Sequence, residues 1–133
     1  MAFTSSDEVR LYIGGIFESA FADDALRAKL AATGVVLRST FTDPDTDLIV
    51  DLGSGAVLPA GTDAAPNATM TMTAETGNAY WQGKVNLPLA MAKGKIKVDG
   101  NVASLLKLAP LSKQLFPAYI DALKSHGRND LLV

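Results

Sequence analysis

A chain of 133 residues, 48% apolar and 20% charged, is long enough to bury its own core, which excludes a disordered polymer and fits one domain over residues 1–133. A net charge of −2 argues against a nucleic-acid partner, and 14 acids against 12 bases predict no polybasic patch, so at most transient membrane contact is expected. With no cysteine and only His126 as imidazole, disulfides, thiolate chemistry and a two-histidine metal site within one chain are excluded, and no cofactor is expected.

Ser5 followed by Glu8 reads as a capping box that opens the first helix. Val9, Tyr12, Ile13, Ile16, Phe17, Ala20 and Phe21 then recur at helical spacing and form one apolar stripe. Gly14 and Gly15 lie inside that stripe and are expected to bend or split it, since glycine costs about 1 kcal/mol relative to alanine in a helix. Asp23 or Asp24 caps a second helix carrying Leu26 and Leu30, which Gly34 stops.

From Val35 the period becomes two. Val35, Leu37, Ser39 and Phe41 alternate with Val36, Arg38, Thr40 and Thr42, as side chains on a strand do. Asp43-Pro44-Asp45 signals a turn. The next strand, Thr46 to Leu52, sets Leu48, Val50 and Leu52 against Asp47, Ile49 and Asp51. Gly53-Ser54-Gly55 turns the chain into a short strand, Ala56 to Leu58, so these three strands read as an antiparallel meander. Residues 59–67 form a surface connection. Ala68-Thr69-Met70-Thr71-Met72-Thr73 alternates again, with Met70 and Met72 on one face. Helices are predicted near Glu75–Gln82 and Leu87–Ala92, followed by a strand Lys95–Asp99 with Ile96 and Val98 inward. Asn101 caps a helix through Leu108, and Pro117 opens a last helix that carries Ile120 and Leu123 and ends at Gly127.

The stretch from Gly83 to Gly100 has a distinctive order. A Gly83-Lys84 pair, a short helix, a second pair at Gly94-Lys95, the alternating Ile96-Lys97-Val98-Asp99 and a closing Gly100 follow one another. Together with Leu48-Ile49-Val50-Asp51-Leu52, the Gly55-to-Leu58 strand and Ala68 to Met72, this order resembles the sterol carrier protein family, type two, over roughly residues 30–125. One departure is visible: the family's proline directly follows the Asn or Asp of the first joint, whereas here Leu87 stands between Asn86 and Pro88.

The resemblance implies an α+β fold: a five-stranded mixed, mostly antiparallel sheet with helices packed on one face around an elongated apolar cavity. It also implies a domain that binds lipids or other hydrophobic small molecules (fatty acids, fatty acyl-CoA, sterol-like molecules) without catalysing a reaction. The apolar residues that would wall such a cavity are Phe17, Phe21, Leu37, Phe41, Leu48, Val50, Met70, Met72, Trp81, Leu87, Met91, Ile96, Val98, Leu105, Phe116 and Tyr119. Methionine is unbranched and polarizable, which suits a cavity that accepts varied chains. The same side chains serve an ordinary packed core equally well.

Lys84, Lys93, Lys95 and Lys97 could meet a lipid headgroup at the cavity mouth, but lysines on an edge strand also discourage edge-to-edge pairing. His126 near a helix C-terminus is a favourable placement of a cation in the helix dipole. Asp43, Asp45 and Asp47 lack the Gly and Glu of a calcium loop, and Gly53-Ser54-Gly55 precedes no helix that would cradle a phosphate. The rival reading is an interaction or dimerisation module with a filled core, supported if apolar residues of 111–123 are exposed; a homodimer fits either reading. A lipid-modifying enzyme would have only carboxylates, Tyr80, Tyr119 and His126 for proton transfer. The N-terminal residues lack the basic and apolar regions of a secretory signal, and Leu131-Leu132-Val133 is not a Ser-Lys-Leu address, so a soluble cytoplasmic protein is expected.

Overall fold

In the computed structural model of the chain, which describes residues 3–58 and 65–133, Ser5 caps the first helix as expected, its hydroxyl accepting the Glu8 N–H at 3.2 Å. The return bond differs from a capping box. The Glu8 carboxylate accepts from the backbone N–H and the hydroxyl of Thr4, at 3.0 and 2.9 Å, rather than from Ser5. Helix α1 (Ser6–Val9) runs into a π-helical turn, Arg10–Gly14, and on into α2 (Gly15–Ala22). Gly14 and Gly15 do not split the helix. The backbone stays right-handed helical through both and absorbs the junction as a widened turn. Asp23 caps α3 (Asp24–Thr33), accepting the Leu26 N–H at 3.1 Å.

Strands β1 (Val36–Thr42), β2 (Thr46–Asp51), β3 (Ala56–Val57), β4 (Ala68–Thr73) and β5 (Lys97–Gly100) form one sheet in the order β3-β2-β1-β4-β5. The first three make the expected antiparallel meander. β4 then pairs with β1 in parallel, and β5 returns antiparallel to β4, so the sheet is mixed and mostly antiparallel. Of the predicted 59–67 connection, residues 59–64 lie outside the described residues. Its last residue, Asn67, bonds β1 twice: its side-chain oxygen accepts the Val36 N–H at 2.6 Å, and its N–H donates to the Val36 carbonyl at 2.9 Å.

Register carries one face of all four long strands inward. Leu37 opposes Val50 and Ala68, Ser39 opposes Leu48 and Met70, and Phe41 opposes Thr46 and Met72, while Met70 meets Val98. The helices cover this face. On the other face Arg38 pairs with Asp47 at 2.8 Å in the open, and Thr40 donates to the same carboxylate at 2.7 Å. Asp47 is thereby engaged by its own sheet, in keeping with a plain turn at 43–45. Among the described residues, no three His, Asp or Glu side chains gather as a metal site.

Helix α4 (Ala74–Tyr80) is capped by Thr73, and α5 (Leu87–Ala92) by Asn86, whose side chain accepts the Leu89 N–H at 3.1 Å. The inserted Leu87 therefore does no harm, because Pro88 still falls in the first turn, where its missing N–H has no helical partner to lose. β5 begins two residues later than predicted. The N–H groups of Lys95 and Ile96 both turn back to the Ala90 carbonyl, at 2.9 and 3.3 Å, closing α5 before the ladder starts.

The largest difference from expectation is α6. Val102–Ser125 form one 24-residue helix, capped by Asn101, where a break before Pro117 was predicted. Proline inside a helix usually costs about 3 kcal/mol through a lost hydrogen bond and a ring clash. Here Pro110 and Pro117 are both exposed, seven residues apart, and the carbonyls they leave without a donor belong to exposed Leu106 and Lys113. Water can satisfy those carbonyls, while Leu105, Leu108, Leu115, Tyr119 and Leu123 keep the inner face continuous.

The two chain ends meet at Arg128. It bonds Glu8 at 3.0 Å and Asp130 at 3.1 Å, and lies over the Tyr12 ring at 5.4 Å. The Thr4 backbone N–H, assisted by the Thr4 hydroxyl and Arg128, holds the Glu8 carboxyl below its usual range of 4.5. Arg38, with Thr40, does the same for Asp47, whose usual value is 3.8. Both carboxyls bind protons more weakly folded than unfolded, so the unfolded state gains protons first on acidification. The stabilisation is full above these unfolded values and is lost as pH falls through the lower, folded ones. Melting temperature should thus be flat near neutrality and decline below about pH 4. Glu8→Gln should melt lower at pH 7 and decline less on acidification. An unchanged acid decline in thermal melts of that variant would remove Glu8 from the explanation.

Candidate functional site

The inner face of the sheet and the helices above it share one core, running from Phe3 to Leu131. Between β1, β4 and α6 that core leaves a small cavity, walled by Phe17, Leu30, Leu37, Phe41, Met70, Met72, Trp81, Leu105, Leu108 and Leu115, with the hydroxyl-bearing Ser39, Tyr80 and Ser112 among them. Its volume is about 20 Å³, enough for one water molecule. The elongated cavity implied by the resemblance is not open space in this structure.

Of the residues expected to wall it, Phe17, Leu37, Phe41, Met70, Met72, Trp81 and Leu105 do line this space. The others do not. Phe21, Leu48 and Val50 are buried elsewhere in the same core, the last two on β2. Leu87 and Ile96 are buried under and beyond α5, with Met91 and Val98 half-buried at that edge. Phe116 sits just behind the wall, its ring edge-on to Tyr80 and Trp81 at 5.9 and 6.1 Å. Tyr119 is fully buried, but its hydroxyl donates to the Asn78 side-chain oxygen at 2.6 Å and so points away from the cavity.

Leu30, Ser39, Tyr80, Leu108, Ser112 and Leu115 join the lining without having been expected there. Ser39 was legible from parity, since it shares a face with Leu37 and Phe41. Ser112 and Leu115 were hidden by the expectation of one helix through Leu108 and another opened by Pro117. Once α6 runs through, they fall one and two turns beyond Leu108 on the same side.

Aromatic rings close one end of the space. Trp81 packs edge-on against Phe17 at 5.3 Å and Tyr80 at 5.2 Å, and Phe116 completes the group. Gly83 keeps that end tight: it has φ +78°, and a Cβ there would approach Phe116 to 3.2 Å. Beside the aromatic group lies a buried polar network. Asn78 and Gln82 both donate to the Leu131 carbonyl at 2.8 Å, and Gln82 donates to the Asn78 side-chain oxygen at 3.0 Å.

Among the described residues, no charged side chain lines the cavity. Burial pushes the Tyr80 hydroxyl above its ordinary pKa of 10.0, against a smaller opposing effect of its hydrogen bond with Ser112. Burial raises Tyr119 as well. Both phenols stay neutral at ordinary pH. The lining is therefore apolar apart from the neutral hydroxyls of Ser39, Tyr80 and Ser112, each able to donate one hydrogen bond and to accept as well.

The family model described as the SCP-2 sterol transfer family matches residues 16–113, from α2 into the middle of α6. Among solved structures, the chain is similar to sterol carrier protein domain 2 of Helicoverpa armigera, with a TM-score of 0.68 at 22% identity over 88% of this chain and 95% of that one. It is also similar to sterol carrier protein 2 of Aedes aegypti, solved in complex with palmitate, with a TM-score of 0.57 at 28% identity over 83% of this chain and 96% of that one. A 59-residue stretch is 36% identical to the peroxisomal multifunctional enzyme A of Dictyostelium discoideum; it covers 44% of this chain but only 13% of that protein. The matched region contains β1 to β5 and nearly the whole cavity lining, and by that match the chain belongs to the SCP-2 sterol transfer family.

Proposed function

We propose that the protein binds a hydrophobic lipid non-enzymatically between the inner face of the sheet and α6, and passes it between carriers or membranes. The observation that carries this reading is the conjunction of family membership with a wholly uncharged lining at the sheet–helix seam. A chain of ~16 carbons gains about 0.8 kcal/mol per methylene removed from water, or roughly 12 kcal/mol before costs. Association costs of about 4–15 kcal/mol offset much of that.

Drug-sized ligands occupy pockets of about 300–1,000 Å³, far above the 20 Å³ present here. Ligand entry must therefore move side chains and spread the α6 seam. Met70 and Met72 are suited to such repacking because their unbranched chains have several rotamers. The unusual proline content of α6 leaves that helix with fewer internal hydrogen bonds to break as it moves.

Trp81 is the sole tryptophan, and it lines the cavity. Its emission should change saturably when palmitate, palmitoyl-CoA or cholesterol is titrated in, and native mass spectrometry should show the matching complex at one ligand per chain. Silence of Trp81 and absence of a complex for all three lipids would sink the proposal. The nearly filled core favours one rival, an interaction module that holds no ligand. Of the large apolar residues of 111–123 whose exposure that module would need, Leu115, Tyr119 and Leu123 are buried, and Leu111, Phe116 and Ile120 are half-buried.

A further inference from the structure

The near balance of acids and bases over the whole chain conceals a local excess. From Thr76 to Val98 there is no acid, while Lys84, Lys93, Lys95 and Lys97 all fall there; the first 24 residues instead hold Asp7, Glu8, Glu18, Asp23 and Asp24 against Arg10 alone. The fold brings three of these lysines together. Lys84, Lys93 and Lys95 border one open depression of about 140 Å³ on the outer side of α5, with Leu89 in its midst. All three are exposed, and none forms a salt bridge among the described residues. Leu89 is 51% exposed, although α5 buries Leu87 and Ala90 on its other side.

We infer that this Leu89–lysine surface docks the protein on an anionic phospholipid bilayer. An apolar side chain ringed by cations matches the boundary between headgroups and acyl chains, where the leucine enters the apolar layer and the ammonium groups meet phosphates. The patch is one two-turn helix and its flanks, small beside the ~800 Å² per side that a stable protein partner needs. Its position also suits lipid exchange. Lys84 follows Gly83, which lies against Phe116, and Phe116 packs on the Tyr80 and Trp81 rings that wall the cavity. A protein held by α5 thus presents the aromatic end of its lipid space to the bilayer, while the acidic N-terminal helices carry charge that a negative surface repels. The inference deepens the lipid-carrier reading by naming the donor surface, yet it can fail independently of it.

The test is co-sedimentation with vesicles of pure phosphatidylcholine and of phosphatidylcholine with 30% phosphatidylglycerol. The wild-type chain should bind the anionic vesicles only, and should be released in 1 M salt, where the Debye length falls to about 3 Å. Each lysine near an anionic surface is worth about fivefold in partitioning, so Lys84→Gln/Lys93→Gln/Lys95→Gln should bind roughly 100-fold more weakly. Leu89→Ser, with every charge kept, should bind about tenfold more weakly through lost apolar burial. Lys107→Gln/Lys113→Gln, which removes two exposed lysines of α6, should change binding by less than about threefold. Equal binding to both vesicle types, or a triple variant that binds like wild type, overturns the inference. So does a wild-type chain that stays in the supernatant with both vesicles, the result expected if the lysines serve an acidic protein. Should the triple variant fail to fold, the salt release and Leu89→Ser still decide. Palmitate uptake read from Trp81 without vesicles separates the two proposals: uptake without docking refutes this inference alone, and lysine-dependent docking without uptake refutes only the carrier reading.

Discussion

Replacing Asn78 by leucine is expected to cost about 2–4 kcal/mol, a drop of roughly 10 °C in melting temperature for a chain of this size. Asn78 is 2% exposed and is the centre of the buried polar network. Its side-chain oxygen accepts from the Tyr119 hydroxyl at 2.6 Å and from Gln82 at 3.0 Å, and its amide donates to the Leu131 carbonyl at 2.8 Å. Leucine removes all three bonds at similar volume. Leu131 retains Gln82 as a donor, but the Tyr119 hydroxyl is left in the core without a partner. A buried polar group without its hydrogen bond costs about 1–3 kcal/mol, and the lost amide bond adds about 1 kcal/mol.

Tyr119→Phe alone should be milder, near 1 kcal/mol, because the Asn78 oxygen keeps Gln82. In the double variant no hydroxyl is orphaned, so the two effects should fall short of additivity by about 1 kcal/mol or more. Denaturant melts of the four proteins measure that coupling, and strict additivity would refute the network as the source of stability. The same bonds tie the C-terminal segment to α4 and α6, and the Val133 N–H donates to Gln82 at 2.9 Å. Asn78→Leu should therefore also loosen residues 131–133, read as faster amide exchange there.

Gly100→Ala is expected to be comparably severe, about 3 kcal/mol or more, and it acts through the backbone. Gly100 has φ +88°, and a Cβ would lie 2.5 Å from the Asn67 carbonyl oxygen. That oxygen is held in place, since it accepts the Asn101 N–H at 2.8 Å while Asn67 clasps Val36 of β1. Relief would pull apart the end of β5, the start of β4 and the cap of α6 together. Gly94→Ala provides the comparison: φ is +76°, but nothing lies within 4 Å of a Cβ there. It should cost only the conformational strain of a left-handed residue, about 1–2 kcal/mol. Equal losses at the two sites in thermal melts would show that the close approach at Asn67 contributes nothing.

The local elements were legible because their causes are local. Ser5, Asp23 and Asn101 cap the helices that their sequence positions announce, each through its own side chain. The alternation of Leu37, Ser39 and Phe41, and of Met70 and Met72, named the inward face of β1 and β4 correctly. Pro117 misled, because proline's cost depends on whether the carbonyl it strands can reach water, and that depends on which side of α6 faces the sheet. The late start of β5 was likewise out of reach, since the Lys95 and Ile96 N–H groups could equally have paired with β4 had α5 not offered the Ala90 carbonyl.

Periodicity and capping chemistry, which act within a few residues, thus determined the helices, the strands and their inward faces, and the ordered glycine–lysine joints of 83–100 pointed to the family. Tertiary structure alone decided the rest. The parallel pairing of β4 with β1 joins strands some thirty residues apart, so no short-range pattern encodes it. Which apolar residues meet in the cavity, and that they leave about 20 Å³ rather than an open channel, depends on how closely α6 settles on the sheet. The gathering of Lys84, Lys93 and Lys95 around Leu89 depends on the turn that closes α5. Packing volume and through-space charge are properties of the assembled surface, and one-dimensional order does not contain them.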